Sequence, residues 1–233
     1  MAFRSRGRAF CHVVITSGLI LWSCANASAA TIANYTFQGN VLTSNDAEPN
    51  STASNFTDGP GITGIFSVTG NPVPARAARY SDLTNTNQGA IANDDYFTFS
   101  ATANVGRELD LTSLAFETST TAGDVGRTGT FFVRSDADGF TANLASFTQL
   151  NSAFVPRTIN LTGAAFQDLG SIAFRFYMRD AGSNENDFSL RIDNVTLSGS
   201  VPALAAPVPE SSSALLFGMG GVALMLGRLR LRK

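Results

Sequence analysis

The sequence predicts an all-β protein: a β-sandwich of jelly-roll type, placed between an N-terminal signal peptide and one C-terminal transmembrane helix. Three observations carry this reading. Short runs alternate apolar and polar residues, most clearly over 172–179. There Ile172, Phe174, Phe176 and Met178 share one face, and Ala173, Arg175, Tyr177 and Arg179 share the other. A period of two means a strand that buries one side and wets the other. Second, Thr, Ser, Asn, Gly and Asp fill the gaps between these runs and helical periodicity is scarce, which is the texture of a sandwich. Third, apolar segments bordered by arginines occur at the two ends of the chain.

The elements follow in order. Residues 1–29 read as a secretory signal peptide. Arg4, Arg6 and Arg8 precede an apolar stretch over 11–22, and Ala25, Ala27, Ala29 and Ala30 offer a small-x-small site cut between Ala29 and Ala30. Leu21, Trp22, Ser23 and Cys24 also resemble a bacterial lipoprotein box, with Trp22 where a small residue is usual. Residues 30–200 have the size of one domain with a substantial core. Strands are expected at 32–37, 62–68, 96–101, 111–117, 130–135, 157–161, 172–179 and 188–198, and a helical turn only at 163–168. Residues 40–61 are polar and read as a long surface loop. Asp138 and Gly139 suit a type I′ turn between 131–134 and Phe140, and Asp94 and Asp95 read as a solvated loop end.

Residues 201–213 form a Pro/Ala linker that carries Val208, Pro209 and Glu210. The apolar run 214–227 is short against the roughly 20 residues of a spanning helix. Arg228, Arg230 and Arg232 alternate with Leu229 and Leu231, so their stems extend the span while the charges reach the headgroups. The basic end 228–233, closed by Lys233, is expected in the cytoplasm and the domain outside.

Composition excludes several chemistries. Between residues 30 and 200 there is no Cys, no His and no Lys. No disulfide, no Ser-His-Asp or Cys-His nucleophile, no Schiff-base lysine and no imidazole or thiolate metal site can be built there. Carboxylates and oxygen-ligand cations remain. The same segment holds 9 Arg against 17 Asp plus Glu, a net charge near −8, which disfavours nucleic acid as a partner. Glycoside hydrolysis needs two facing carboxyls, and Glu48, Glu108, Glu117 and Glu185 sit in no motif. No catalytic residue is assigned. Tyr80, Tyr96 and Tyr177 are the candidate aromatic platforms, because Trp22 leaves with the signal peptide.

The last strand changes phase. Phe188, Leu190 and Ile192 alternate with Ser189, Arg191 and Asp193, but the next apolar residues are Val195 and Leu197. A one-residue break of this kind predicts a β-bulge at Asp193 and Asn194. The surrounding Leu-Arg-Ile-Asp-Asn-Val-Thr-Leu of 190–197 resembles the closing strand of jelly-roll modules related to carbohydrate-binding modules. That resemblance implies calcium at Asp193, with carbonyls near Gln38 to Asn40 as partners. The alternative is that Asp193 caps the bulge by accepting backbone N–H groups.

The whole layout resembles bacterial PEP-CTERM proteins: export signal, Thr/Asn-rich β domain, short Pro-Glu motif, apolar helix, Arg-rich end. Ser211 stands where their second proline is usual. The resemblance implies passage through the inner membrane, anchoring in lipid and cleavage near Glu210 by an exosortase-like sorting protease. Delivery to the cell surface or the exopolysaccharide matrix would follow. A structural or adhesive, non-catalytic role is expected, with calcium-dependent binding of extracellular polysaccharide as the alternative.

Overall fold

A computed structural model describes residues 29–67, 74–79, 82–120, 128–149, 152–180 and 189–204. The expected signal segment before Ala29 lies outside these residues. So do Val208, Pro209 and Glu210, the apolar run 214–227, and Arg228, Arg230, Arg232 and Lys233. Among the described residues no helix is long and apolar enough to cross a membrane.

The strands are β1 (Ala30–Tyr35), β2 (Ser51–Ala53), β3 (Thr57–Asp58), β4 (Gly64–Ser67), β5 (Ala75–Arg79) and β6 (Tyr96–Ala103), then β7 (Asp110–Thr120), β8 (Gly129–Ser135), β9 (Ala145–Gln149), β10 (Val155–Asn160), β11 (Ser171–Asp180) and β12 (Ser189–Ser200). They form two antiparallel sheets. One has the order β10-β7-β12-β5-β4 with β1 also on β12, and the other β2-β6-β11-β8-β9 with β3 also on β6. β7 pairs with β12 along its length. β5, opposite 189–192, and β1, opposite 195–199, share the other edge end to end. β6 repeats the device, with β11 on one edge and β3 and β2 sharing the other.

The core lies between the sheets. Ile172, Phe174, Phe176 and Met178 are buried as their alternation predicts, and they meet Phe97, Phe99, Phe116, Leu114, Leu190, Ile192 and Leu197. The rings pack at centroid distances such as 5.6 Å for Phe99 with Phe174 and 5.1 Å, edge to face, for Phe116 with Phe176. Each buried Phe contributes about 1.5–3 kcal/mol of transfer free energy, so the phenylalanines dominate folding.

Two arginines tie the sheets together. Arg76 of β5 reaches Asp58 of β3 at 2.7 Å, beneath the rings of Phe66 and Phe97. Arg157 of β10 donates through Nε to Thr118 Oγ1 of β7 and through Nη2 to Gln149 Oε1 and Thr148 O of β9.

Several expectations are corrected. The polar stretch 40–61 is not simply a surface loop. It carries β2 and β3, and between them Phe56 is fully buried against Tyr35, Phe97, Phe99 and Phe176. An α-helix appears besides the expected turn, which is a 3-10 turn at Ala164–Phe166. This is α1 (Asn87–Ala92), N-capped by Thr86, whose Oγ1 accepts the Gly89 N–H. Arg179 Nε donates to Asn87 Oδ1 at 2.6 Å and holds α1 beside β11. The expected two-residue turn at Asp138 is longer. A 3-10 turn at Asp136–Asp138, then Gly139 and Phe140 both at positive φ, lead into β9.

Candidate functional site

The bulge in β12 is present where the phase break places it. Asp193 faces Glu117 of β7, and the register then jumps to Thr196 facing Ala115, so one residue of β12 is extra. Asn194 absorbs it with φ 49, a left-handed backbone that Asn adopts more readily than other non-glycine residues. Phase is restored after the bulge, and Val195 and Leu197 enter the core.

Asp193 is fully buried. Its Oδ1 accepts the Asn194 backbone N–H at 2.9 Å, which is the bulge-capping role. Asn194 Nδ2 donates to Glu117 Oε2 at 3.2 Å, so one asparagine serves both carboxylates. The bulge lies in the gap where β5 has ended at Ile192 and β1 has not yet begun at Val195. The 3-10 turn Gln38–Asn40, whose carbonyls the resemblance names as partners, follows β1 shortly after Tyr35. Among the described residues no three acidic groups converge as a metal cage, so carbonyl oxygens and water would supply most of a calcium shell at Asp193.

The remaining candidates are placed plainly. Ala29 is the first described residue, and Ala30 opens β1 opposite Gly199. Asp136 Oδ1 accepts the Ala173 N–H. Asp138 caps its own loop by accepting from Ala142 N, Thr141 N and Thr141 Oγ1. The Ala142 N–H, foremost among these, holds the Asp138 carboxyl below its ordinary range. Glu48 is bonded to Asn50 and Glu117 to Asn194, each on a different element. Glu185 and Tyr80 lie outside the described residues.

Tyr96 and Tyr177 are not open platforms. They are 8% and 1% exposed, under α1 and a layer of arginines on the outer face of the second sheet. Tyr177 stacks on Phe132 at 5.0 Å, and Tyr96 meets Tyr177 edge-on at 5.1 Å. The Arg175 guanidinium sits 4.4 Å from the Tyr96 ring and 4.1 Å from the Phe140 ring, and its Nη1 donates to the Tyr177 hydroxyl. Arg134 lies over Phe132 and Tyr177. The ring faces that would stack on a ligand are already covered by cations.

Sequence reasoning missed Asp95. It is buried, not solvated, because the loop at Gly59 and Gly61 packs directly on the backbone of 93–95. The paired glycines were the available signal.

No family model matches the chain, and no curated protein does. Solved structures overlap it distantly. The K3 cleaved adhesin domain of Lys-gingipain from Porphyromonas gingivalis is 14% identical, with a TM-score of 0.40, over 72% of this chain and 99% of that one. A family 11 carbohydrate-binding module of a cellulosomal cellulase of Clostridium thermocellum is 13% identical, with a TM-score of 0.35, over 75% and 96%. A C-terminal family 22 carbohydrate-binding module of the same organism is 12% identical, with a TM-score of 0.38, over 77% and 98%.

Proposed function

We propose that this is an exported, membrane-tethered surface protein, sorted by proteolysis near Glu210, with a structural or adhesive role in an extracellular polysaccharide matrix. The sequence of the tail carries the reading: Val208, Pro209 and Glu210, an apolar run, then Arg228, Arg230, Arg232 and Lys233. The placement of the domain's polar and aromatic side chains supports a non-catalytic role. The carboxylates at 58, 136 and 138 serve an ion pair, a strand and a loop cap, and the rings of Tyr35, Tyr96 and Tyr177 are buried. The partners are an exosortase-like protease, membrane lipid and extracellular polysaccharide.

The test is the C-terminus of the protein recovered from cells with and without the protease. A mature end near Glu210 that appears only with the protease supports the reading. An intact Lys233 in both strains removes it.

A second reading, calcium-dependent glycan binding, is favoured by the buried Asp193 facing Glu117 at the bulge. Calorimetric titration with the producing cell's own polysaccharide, with and without chelator, separates the two. Saturable heat that chelation abolishes supports the second reading, and no heat in either arm supports the passive role.

A further inference from the structure

Asp95 leads into β6 and is 0% exposed. Its Oδ2 accepts from Thr84 N at 3.2 Å and from Thr84 Oγ1 at 3.1 Å. Its Oδ1 has no hydrogen-bond partner among the described residues. What faces Oδ1 is a second acceptor. A Cβ placed on Gly61 would stand 2.3 Å from Asp95 Oδ1 and 2.1 Å from the Asn93 carbonyl oxygen. Both oxygens therefore converge on one side of Gly61, where only a residue without a side chain leaves them room. Asn93 is exposed and Gly61 half-buried, so the two acceptors meet at the margin of solvent, and the buried Asp95 Oδ1 is costly to leave without a partner.

Two further carboxylates adjoin this point. Asp82 Oδ2 accepts the Thr63 N–H at 3.1 Å, beside the Gly61 loop, and Asp94 is next in the chain with φ 60. Burial first, then the charges of Asp82 and Asp94, push the Asp95 carboxyl above its ordinary range against the pull of the Thr84 bonds. The nearby cation Arg175 interacts with Asp94 and is already engaged by Tyr96 and Phe140.

We propose that a divalent cation, calcium by the chemistry of its ligands, binds between Asp95 Oδ1 and the Asn93 carbonyl. Every donor atom there is oxygen, which suits calcium and excludes metals that need imidazole or thiolate. Among the described residues no three acidic groups form a cage, so water completes the shell, and Asp82 and Asp94 contribute nearby negative charge. The ion joins the loops at 59–63 and 82–84 to the start of β6. The site is separate from Asp193, which lies in the other sheet.

The test is the melting temperature of the purified full chain in detergent, in chelator and across a calcium titration, for the native protein and three variants. Calcium raises the native Tm. Asp193→Asn keeps a calcium response, Asp95→Asn loses the response assigned to this site, and Asp94→Asn shifts its midpoint to about fivefold higher calcium. A native protein indifferent to calcium overturns the proposal. So does Asp95→Asn with an undiminished response. If a proton bridges the two oxygens instead, the amide introduced by Asp95→Asn replaces it, and the variant matches the native Tm with calcium changing neither. If Asp95→Asn does not fold, the Asp94→Asn midpoint decides, and an unshifted midpoint rejects the site.

Discussion

Tyr35 shows how much one polar atom is worth in this core. Its ring is buried among Phe37, Phe56 and Phe99, and its hydroxyl donates to the Ser54 carbonyl at 2.5 Å. Burial, and then the charge of Asp46, push the phenol above its ordinary value. A folded value above the unfolded one gives stability that is complete below about pH 10 and is lost as pH rises toward the folded value. Tyr35→Phe leaves the Ser54 carbonyl without its donor and is expected to cost about 1 kcal/mol at neutral pH. It also removes this share of the alkaline slope, so urea midpoints of the two proteins converge above about pH 10. Midpoints that stay a constant distance apart refute the assignment. Asn194 makes the same point at the bulge. Asn194→Ala loses both the left-handed tolerance and the bond to Glu117, and is expected to cost about 1–2 kcal/mol by urea denaturation. Asn194→Gly loses only the bond and should cost less.

At the scale of elements, the sandwich is closed by Arg76 on Asp58 and by Arg157 on Thr118, Thr148 and Gln149. Arg76 is the more consequential because its side chain is 7% exposed and Asp58 only 24%. Arg76→Ala strands a half-buried carboxylate and is expected to cost about 3–5 kcal/mol. Arg76→Met with Asp58→Leu removes both charges and should cost less than the single change; equal costs would mean the pair is not what joins β5 to β3. Neither tie was legible in the sequence, because each depends on how one sheet faces the other. What was legible is what depends on local pattern: β1, β4, β6, β7, β8, β10, β11 and β12, and the bulge where the alternation of β12 slips. β5 was hidden because Ala75–Arg79 carries no β-branched or aromatic residue. Phe56 was hidden because its neighbours are polar, and its burial comes from the gap that β2 and β3 leave along β6. The candidate sites divide likewise. The bulge at Asp193 was found by phase and a calcium role there only by resemblance, whereas the burial of Asp95 comes from a loop more than thirty residues earlier in sequence.

At the scale of the whole molecule, the domain ends later than the boundary at Ser200. Val201 is buried in the core, the Glu108 N–H donates to the Pro202 carbonyl, Ala203 bridges Arg107, and the Leu204 N–H donates to the Gly106 carbonyl. The segment leading to the tail is thus laid along the start of β7. β12, which it continues, is flanked by β7, β5 and β1. Under the proposed membrane tether, force would enter at a strand paired on both edges and not at a sheet edge. A chain ending after Leu204 keeps the Val201 burial and the bonds at 106–108 and is the reference for the comparison. A chain ending after Ser200 forfeits the Val201 burial and the bonds at 106–108, and should lose about 2–3 kcal/mol, read as a Tm lower by several degrees. Equal melting of the two truncated chains would place the end of the folded unit at Ser200 and remove residues 201–204 from any part in transmitting the pull.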